Sequence, residues 1–192
     1  MRRLNLYQFQ TVLTLALRLA ICAGVAASAQ EEGEDSTMSW SLTLKTIRAK
    51  FPTIAHISTD TLQSWLDESP QRENLLLFDV RDLEEYAVSH LQGARPVSSK
   101  DEALKALQGL PADQRIILYC SVGYRSSELA QFLMKKGYTE IYNLEGSIFA
   151  WANEGRAVYR GKERVTIVHP YDRTWGRLLK KSLRKQEEAA TP

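Results

Sequence analysis

The stretch "RIILYCSVGYRSSELAQFL" (residues 115–133) decides the fold of this 192-residue chain. Its first six letters, "RIILYC", predict a strand, because an apolar run follows Arg115. The letters "SSELAQFLMKKG" then predict a helix that begins near Ser126 and that Gly137 ends. A strand that leads directly into a helix is the repeating unit of a parallel sheet with helices on both faces.

The same alternation continues on both sides of this stretch. Further short apolar runs predict strands at "IAHI", "LLLFDV", "ARPV" and "EIYNL". Helical patterns separate them at "STDTLQSWLD", "LEEYAVSH", "DEALKALQ" and "SIFAWANEG". The residues therefore predict an α/β fold built on a parallel sheet.

Residues 1–29 have the features of a secretory signal. They start with a basic "MRR", continue with the short apolar "LAICAGVAA" and end at the small-x-small site "ASA". This pattern predicts export to the periplasm or out of the cell. One alternative is an uncleaved membrane anchor over residues 11–29, which would place Arg18 near the bilayer centre at a cost of roughly 2.5–3.5 kcal/mol. The other is lipidation at Cys22.

Two further segments flank the predicted domain at residues 54–158. Residues 30–53 begin with an acidic spacer, and their apolar residues at i, i+4, i+7 and i+11 then predict an amphipathic helix that Pro52 ends. Residues 159–192 form a basic extension, with nine Lys or Arg against two acids over residues 160–185. Within it "WGRLLKKSLRKQ" predicts a basic amphipathic helix, which could make weak contact with an anionic membrane surface, although a solvated helical extension is the commoner outcome. Residues 165–175 are apolar enough to pack back on the domain, and no function is assigned to this extension.

Composition limits the classes of partner. The chain is 44% hydrophobic and 25% charged, as soluble globular proteins are. Its net charge is +2, but residues 1–29 hold three arginines and no acid, so the remainder carries −1. This balance argues against a nucleic-acid partner. The three histidines are scattered and no zinc-ligand spacing occurs, so neither a metal nor another cofactor is expected.

Cys120 is the single cysteine left once the predicted signal is removed. It cannot then form a disulfide within the chain, and it is either a buried inert side chain or a reactive thiol. It directly follows a predicted strand, and ligands collect beyond the carboxyl ends of parallel strands. The Ser, Gly, Tyr and Arg residues around it suit a polar pocket better than an apolar core.

The loop after Cys120 predicts an anion-binding site. A short turn over a helix N-terminus points several main-chain N–H groups at one place, and Arg125 can add a guanidinium fork. Such surroundings would lower the thiol pKa from about 8.5 into the range of roughly 3.5–7.5 found for activated cysteines. The predicted site consists of the nucleophile Cys120 and the substrate-binding residues Ser121, Val122, Gly123, Tyr124, Arg125 and Ser126.

From about Ile54 to Val158 the chain resembles the rhodanese family of sulfurtransferases. Its "CSVGYRS" is similar to the family's active-site loop, and "LLLFDVRDLEEYAVSHLQGA" is similar to an upstream signature. "NLEGSIFAW" resembles the C-terminal signature. Three motifs in order are much more specific than a lone Cys-x-x-Gly. The resemblance covers a little over half of the chain.

The resemblance implies a doubly wound α/β fold with a five-stranded parallel sheet and helices on both faces. It implies that Cys120 takes a sulfane sulfur from a small anionic donor such as thiosulfate and becomes a persulfide. A cellular thiol or a protein would then accept that sulfur. Asp79 and Arg81 end a neighbouring strand and would brace the loop by hydrogen bonds, and a purely structural ion pair is the alternative.

Two other functions stay open on the sequence. One is a non-catalytic rhodanese-like module that binds a partner. The other is a phosphatase or arsenate reductase, but such enzymes on this fold place five residues between the cysteine and the arginine, and here four intervene. The smaller loop favours sulfur over phosphate. Ser121 stands where dedicated thiosulfate enzymes often carry a basic residue, which argues against strong thiosulfate turnover.

Overall fold

The computed structural model describes residues 40–68 and 74–185. The chain divides into two units, residues 1–41 and residues 42–192. In the first unit the two described residues are helical. The predicted signal, its anchor and lipidation alternatives and the acidic spacer lie outside the described residues. Within the described ranges no helix is long and apolar enough to cross a membrane.

Five strands of the second unit form one parallel sheet in the order β1-β5-β4-β2-β3. The middle strand of this order is the "RIILY" run, and its residues 116–119 have no exposed surface. The predicted α/β fold with a five-stranded parallel sheet is confirmed. The strands are β1 (Ala55–Ile57), β2 (Leu75–Asp79), β3 (Arg95–Pro96), β4 (Arg115–Tyr119) and β5 (Ile141–Leu144).

Helices flank the sheet, and short polar residues cap several of them. The Ser58 side chain accepts a hydrogen bond from the Thr61 N–H at the start of the second helix. A capping box of Asp82 and Glu85 begins the third. The helices are α1 (residues 42–50 of this unit), α2 (Thr59–Asp67), α3 (Leu83–Val88), α4 (Lys100–Ala106), α5 (Tyr124–Lys135) and α6 (Ser147–Asn153).

Two details refine the predicted helices. Helix α5 begins at Tyr124, two residues before the predicted start, because Gly123 takes the N-cap position with a left-handed backbone (φ 113°). In the helix predicted before Pro52, Ile47 and Phe51 are buried, at 4% and 3% exposure. The apolar stripe of that helix therefore serves core packing.

Residues 159–185 of the C-terminal extension form regular structure in the second unit. Strands β6 (Val158–Arg160) and β7 (Glu163–Val165) form an antiparallel hairpin. Val168, Leu178 and Leu179 are buried beyond it. The extension therefore packs on the domain.

The predicted basic amphipathic helix in this extension is wrong over the described residues. The chain instead makes two 3₁₀ turns, Trp175–Leu178 and Lys181–Leu183. The reason is competition for main-chain groups, because Asn153 of α6 donates to the Leu178 carbonyl at 2.7 Å and accepts from the Lys180 N–H at 2.8 Å. Groups that would bond within a helix bond to α6 instead.

Candidate active site

The thiol lies where the chain turns from β4 into α5. Cys120 directly follows the last residue of β4, and only three residues separate it from the first residue of α5. Gly123 makes this turn possible. Its φ of 113° suits glycine, and a Cβ atom built there would lie 3.1 Å from the Asn143 amide nitrogen.

The Cys120 side chain is almost fully buried, at 1% exposure, but polar donors surround it. The Gly123 N–H donates to Sγ at 3.1 Å, and the Ser126 hydroxyl lies 3.5 Å from the same atom. Burial by itself raises the thiol pKa. The charge of Arg125, the Ser126 hydroxyl and the N–H groups of Ser126 and Gly123 outweigh burial, so the pKa of Cys120 lies below its ordinary value.

Several main-chain N–H groups of the loop have no acceptor in the described part of the chain. Those of Val122, Tyr124 and Arg125 are among them. Unpaired N–H groups at the start of a helix form an anion-binding nest. The loop therefore provides free donors in addition to those that bond to the sulfur.

The Arg125 guanidinium is directed at Glu85. It donates to the two carboxylate oxygens at 2.8 and 2.9 Å, to the Ser121 hydroxyl at 3.1 Å and to Asp82 at 3.4 Å. The Arg125 guanidinium, which the sequence assigned to the anion pocket, is therefore hydrogen-bonded to protein side chains instead. Its charge still acts on Cys120, since Arg125 is the cation that lowers the thiol pKa.

Glu85 is a site residue that the sequence analysis did not single out. Its side chain is 3% exposed, and besides Arg125 it accepts from the Ser121 hydroxyl at 3.0 Å and the Asp82 N–H at 3.1 Å. Burial raises its pKa, but the hydrogen bonds and charge of Arg125 prevail and hold the pKa below its ordinary value. A signal was present, since an aspartate three residues before a glutamate predicts a capping box.

Asn143 at the end of β5 was also missed. Its Oδ1 accepts from the Ser126 hydroxyl at 2.6 Å, and its Nδ2 lies 3.0 Å from His56 Nδ1. A hydroxyl has one proton to donate, so Asn143 and the Cys120 sulfur compete for it. His56, Asn143 and Ser126 thus form a chain of hydrogen-bonding groups that ends at the thiol.

The N-terminus of α6 fixes the other side of the loop. The Ser147 hydroxyl accepts from the Cys120 N–H at 3.1 Å and donates to the Leu144 carbonyl at 3.1 Å. The Ile148 N–H donates to the Cys120 carbonyl at 3.2 Å. Both residues follow the carboxyl end of β5, the neighbour of β4 in the sheet.

Asp79 and Arg81 form a buried pair with no exposed surface. The Arg81 guanidinium donates to both Asp79 oxygens, at 2.9 and 2.6 Å, and to the Ser89 carbonyl at 2.6 Å. The Tyr119 hydroxyl donates to Asp79 at 2.7 Å. Among the described contacts neither side chain bonds to residues 120–126, so the predicted bracing reaches the loop only through Tyr119. This geometry fits the structural ion pair that was the alternative.

The remaining predicted residues lie at different depths. Val122 is buried at 4% exposure, whereas Tyr124 is 40% exposed and its ring meets Phe51 edge-on with the ring centres 5.2 Å apart. Ser121 is buried and its hydroxyl donates to Glu85. Within residues 40–68 and 74–185 no group of three or more acidic, cysteine or histidine side chains is placed to hold a metal ion.

Comparison with known proteins shows what this chain is similar to. Residues 62–154 match the family model described as "Rhodanese-like domain". A probable adenylyltransferase/sulfurtransferase of Mycobacterium tuberculosis is 35% identical over 99 residues, which make up 51% of this chain and 24% of that protein. A sulfurtransferase of Allochromatium vinosum is 29% identical over 102 residues, 53% of this chain and 92% of the relative.

A solved structure has the same fold. Thiosulfate sulfurtransferase of Pseudomonas aeruginosa superposes with a TM-score of 0.54 at 18% identity, covering 72% of this chain and 26% of that one. At this identity the likeness concerns the fold. The chain thus spans about a quarter of the mycobacterial relative and of this structure, and nearly all of the Allochromatium relative.

Proposed function

The chain belongs to the rhodanese-like family through its residues 62–154, and on this premise we propose that it transfers sulfane sulfur through a persulfide on Cys120. The donor is a small anion such as thiosulfate. The acceptor is a thiol, free or on a protein. The protein acts as a catalyst and needs no metal or other cofactor for this reaction.

The observation that carries the proposal is a thiol with a lowered pKa beside unpaired N–H groups. The thiolate is the nucleophilic form of cysteine, and a lower pKa raises its fraction at neutral pH. The free N–H groups of Val122, Tyr124 and Arg125 can then bind the anionic donor. The same groups would stabilise the negative charge on a persulfide.

The proposed reaction balances in two steps. The Cys120 thiolate attacks the outer sulfur of thiosulfate, a sulfur–sulfur bond forms, and sulfite leaves with the electron pair of the broken bond. An acceptor thiolate then attacks the terminal sulfur of the persulfide, and the Cys120 thiolate leaves. No proton transfer to the leaving sulfite is required, because sulfite leaves as a dianion.

Loop size supports sulfur rather than phosphate. Four residues separate Cys120 from Arg125, and Gly123 N–H already lies 3.1 Å from the sulfur. In a phosphate ester the attacked phosphorus carries the oxygens that the Arg125 guanidinium would have to bind, whereas the attacked outer sulfur of thiosulfate carries none, and this guanidinium is already bound to Glu85 and Ser121. A phosphate ester would therefore have to compete with a buried carboxylate for its main cationic partner.

Mass spectrometry after incubation with thiosulfate tests the proposal. We expect the protein to gain the mass of one sulfur atom, to release sulfite, and to lose the added sulfur when a thiol is supplied. Cys120→Ser should gain nothing. If neither thiosulfate nor an organic persulfide loads Cys120, the proposal is wrong and a non-catalytic binding module takes its place. Hydrolysis of an aryl phosphate that depends on Cys120 would instead indicate a phosphatase.

We further propose that the protein works outside the cytoplasm, because residues 1–29 have the pattern of an export signal. Sequencing the N-terminus of the protein recovered from cells tests this. A mature chain that starts at Gln30 supports cleavage and export. A chain that keeps residues 1–29 in the membrane fraction supports the anchored alternative, and one that keeps them in the cytosol contradicts both.

A further inference from the structure

The C-terminal extension reaches the active-site loop, although it lies outside the matched residues 62–154. The centre of the Tyr171 ring lies 4.7 Å from the guanidinium carbon of Arg125. This is the distance of a cation–aromatic contact over the face of the ring. The side chain that covers Arg125 thus comes from the C-terminal extension, outside the residues that the sequence assigns to the site.

Residues 168–175, here called the strap, are held firmly at their start. Val168 is fully buried, its N–H donates to the Leu183 carbonyl at 2.7 Å, and its carbonyl accepts from the Lys185 N–H at 2.9 Å. The Asp172 carboxylate accepts from two N–H groups further along, at 2.8 Å each. The strap is therefore a built element whose course is fixed on both sides of Tyr171.

Tyr171 itself has an unusual backbone. Its φ of 65° lies in the left-handed region, which a bulky side chain adopts only when its surroundings require it. The Tyr171 N–H donates to His169 Nδ1 at 3.0 Å, which helps to hold the turn. The ring stays 44% exposed, so burial in the core does not account for this conformation. Among the described residues, the cation–aromatic contact of this ring is with Arg125.

We propose that Tyr171 is a positioning residue of the site, which holds the Arg125 guanidinium against Glu85 and close to the Cys120 loop. Glu85 and Ser121 bind the edge of the guanidinium, and Tyr171 covers its face. Without the ring, Arg125 would keep its edge partners but could tilt away toward solvent. Its charge would then act less strongly on the thiol. The catalytic part of this inference rests on the proposed sulfur transfer.

Two substitutions separate the ring from the backbone. Tyr171→Asn removes the aromatic face, and asparagine tolerates the left-handed conformation. Tyr171→Phe keeps the face and removes only the hydroxyl. We expect Tyr171→Asn to raise the thiol pKa of Cys120, which is measured by titrating the thiolate absorbance. We also expect it to lower kcat/KM for thiosulfate by about two- to fivefold, which is the range that the loss of an exposed cation–aromatic contact supports. Tyr171→Phe should match the wild type in both measurements.

A background variant and a remote control complete the test. In Arg125→Met, Tyr171→Asn should have no further effect, because the ring acts through the guanidinium. Phe132→Leu removes a cation–aromatic contact with Lys100 elsewhere on α5 and should leave the thiol pKa unchanged.

Three results would overturn the inference. They are an unchanged thiol pKa in Tyr171→Asn, an equal change in Tyr171→Phe, and a full effect of Tyr171→Asn in the Arg125→Met background. The thiol titration requires no turnover. If Cys120 took up no sulfur from any donor while Tyr171→Asn still raised its pKa, the proposed function would fail and the positioning role would stand.

Discussion

Replacing Glu85 with glutamine should destabilise the protein by removing one charge from the centre of the site. The Glu85 carboxylate accepts from Arg125 at 2.8 and 2.9 Å, from Ser121 at 3.0 Å and from the Asp82 N–H at 3.1 Å. Glutamine keeps one acceptor oxygen but turns an NH₂ group toward donors, so at least one of these donors loses its partner.

The size of the effect follows from burial. Breaking a buried charge pair by removing one partner costs about 3–5 kcal/mol. Arg125 keeps 29% exposure and still has Asp82 at 3.4 Å, so solvent and a second carboxylate reduce the loss. We expect a decrease in the free energy of unfolding of about 2–3 kcal/mol. In a chain of this size, that corresponds to a fall in Tm of about 4–12 °C.

Thermal unfolding followed by circular dichroism at neutral pH measures this change. Glu84→Gln is the matched control, because Glu84 is the preceding residue of the same helix and is exposed. An exposed substitution of this kind should change the stability by no more than about 0.5 kcal/mol. A fall in Tm for Glu85→Gln that does not exceed the fall for Glu84→Gln would refute the reasoning.

The pH dependence checks that charge is the cause. The pKa of Glu85 is lower in the folded protein than in the unfolded chain. Its stabilisation is therefore fully present above the unfolded value of about 4.3, and it is lost as the pH falls through the folded value. The difference in Tm between the wild type and Glu85→Gln should shrink in that acidic range. A difference that stays constant as acid is added would point to packing instead.

Three further predictions concern the loop. Ser126→Ala should raise the thiol pKa of Cys120, because the thiolate loses a hydroxyl donor 3.5 Å away, and an unchanged thiolate titration would contradict this. Gly123→Ala should destabilise the protein by about 1–3 kcal/mol and prevent sulfur loading, since its φ is 113° and its Cβ would lie 3.1 Å from Asn143. Gly161→Ala, with φ 60° but open space around it, is the control and should cost less. The pKa of Cys120 is lower in the folded protein than in the unfolded chain. Between these two pKa values the free energy of unfolding of the wild type should therefore rise with pH relative to that of Cys120→Ser. A difference between the two proteins that stays constant over this pH range would count against the prediction.

The sequence predicts those parts of the fold and of the site whose residues lie close together along the chain. The run from β4 through the loop into α5 has its apolar residues, its glycine and its thiol within residues 115–133. Local pattern was enough to place Cys120 at the carboxyl end of a strand and Gly123 in the turn. The same pattern missed the start of α5 by two residues, because a glycine at the N-cap lets the helix begin at once.

The residues that the sequence did not reveal are those whose partners are far away along the chain. Glu85 meets Ser121 across 36 residues, and Ser147 meets the Cys120 N–H across 27. Such contacts depend on the order of strands in the sheet, which periodicity does not encode. The Arg125 fork illustrates the consequence. Its nearest neighbours in sequence suggested an anion pocket, whereas the fold supplies a carboxylate from α3.

The C-terminal extension shows a different limit. Its periodicity does fit a basic amphipathic helix, but Asn153 takes the carbonyl and N–H groups that such a helix would need. A helix of this length is marginal by itself, so a few tertiary hydrogen bonds are enough to replace it with turns. The same packing fixes the strap that carries Tyr171. The helix prediction is thus wrong in the same extension whose tertiary contacts place Tyr171 beside Arg125.

The sequence left a choice between a buried inert thiol and a reactive one, and the geometry shows that burial and reactivity are compatible here. Cys120 has 1% exposure, yet its sulfur contacts N–H and O–H donors, which favour the thiolate. On the proposed chemistry, a second sulfur would extend about 2 Å beyond Sγ. The unpaired N–H groups of Val122, Tyr124 and Arg125 are the donors in the loop that remain available to the negative charge on that sulfur. Ser126→Ala and Gly123→Ala should impair the site in different ways, the first by removing a hydroxyl donor from the thiolate and the second by straining a turn whose φ is 113° and pressing on Asn143.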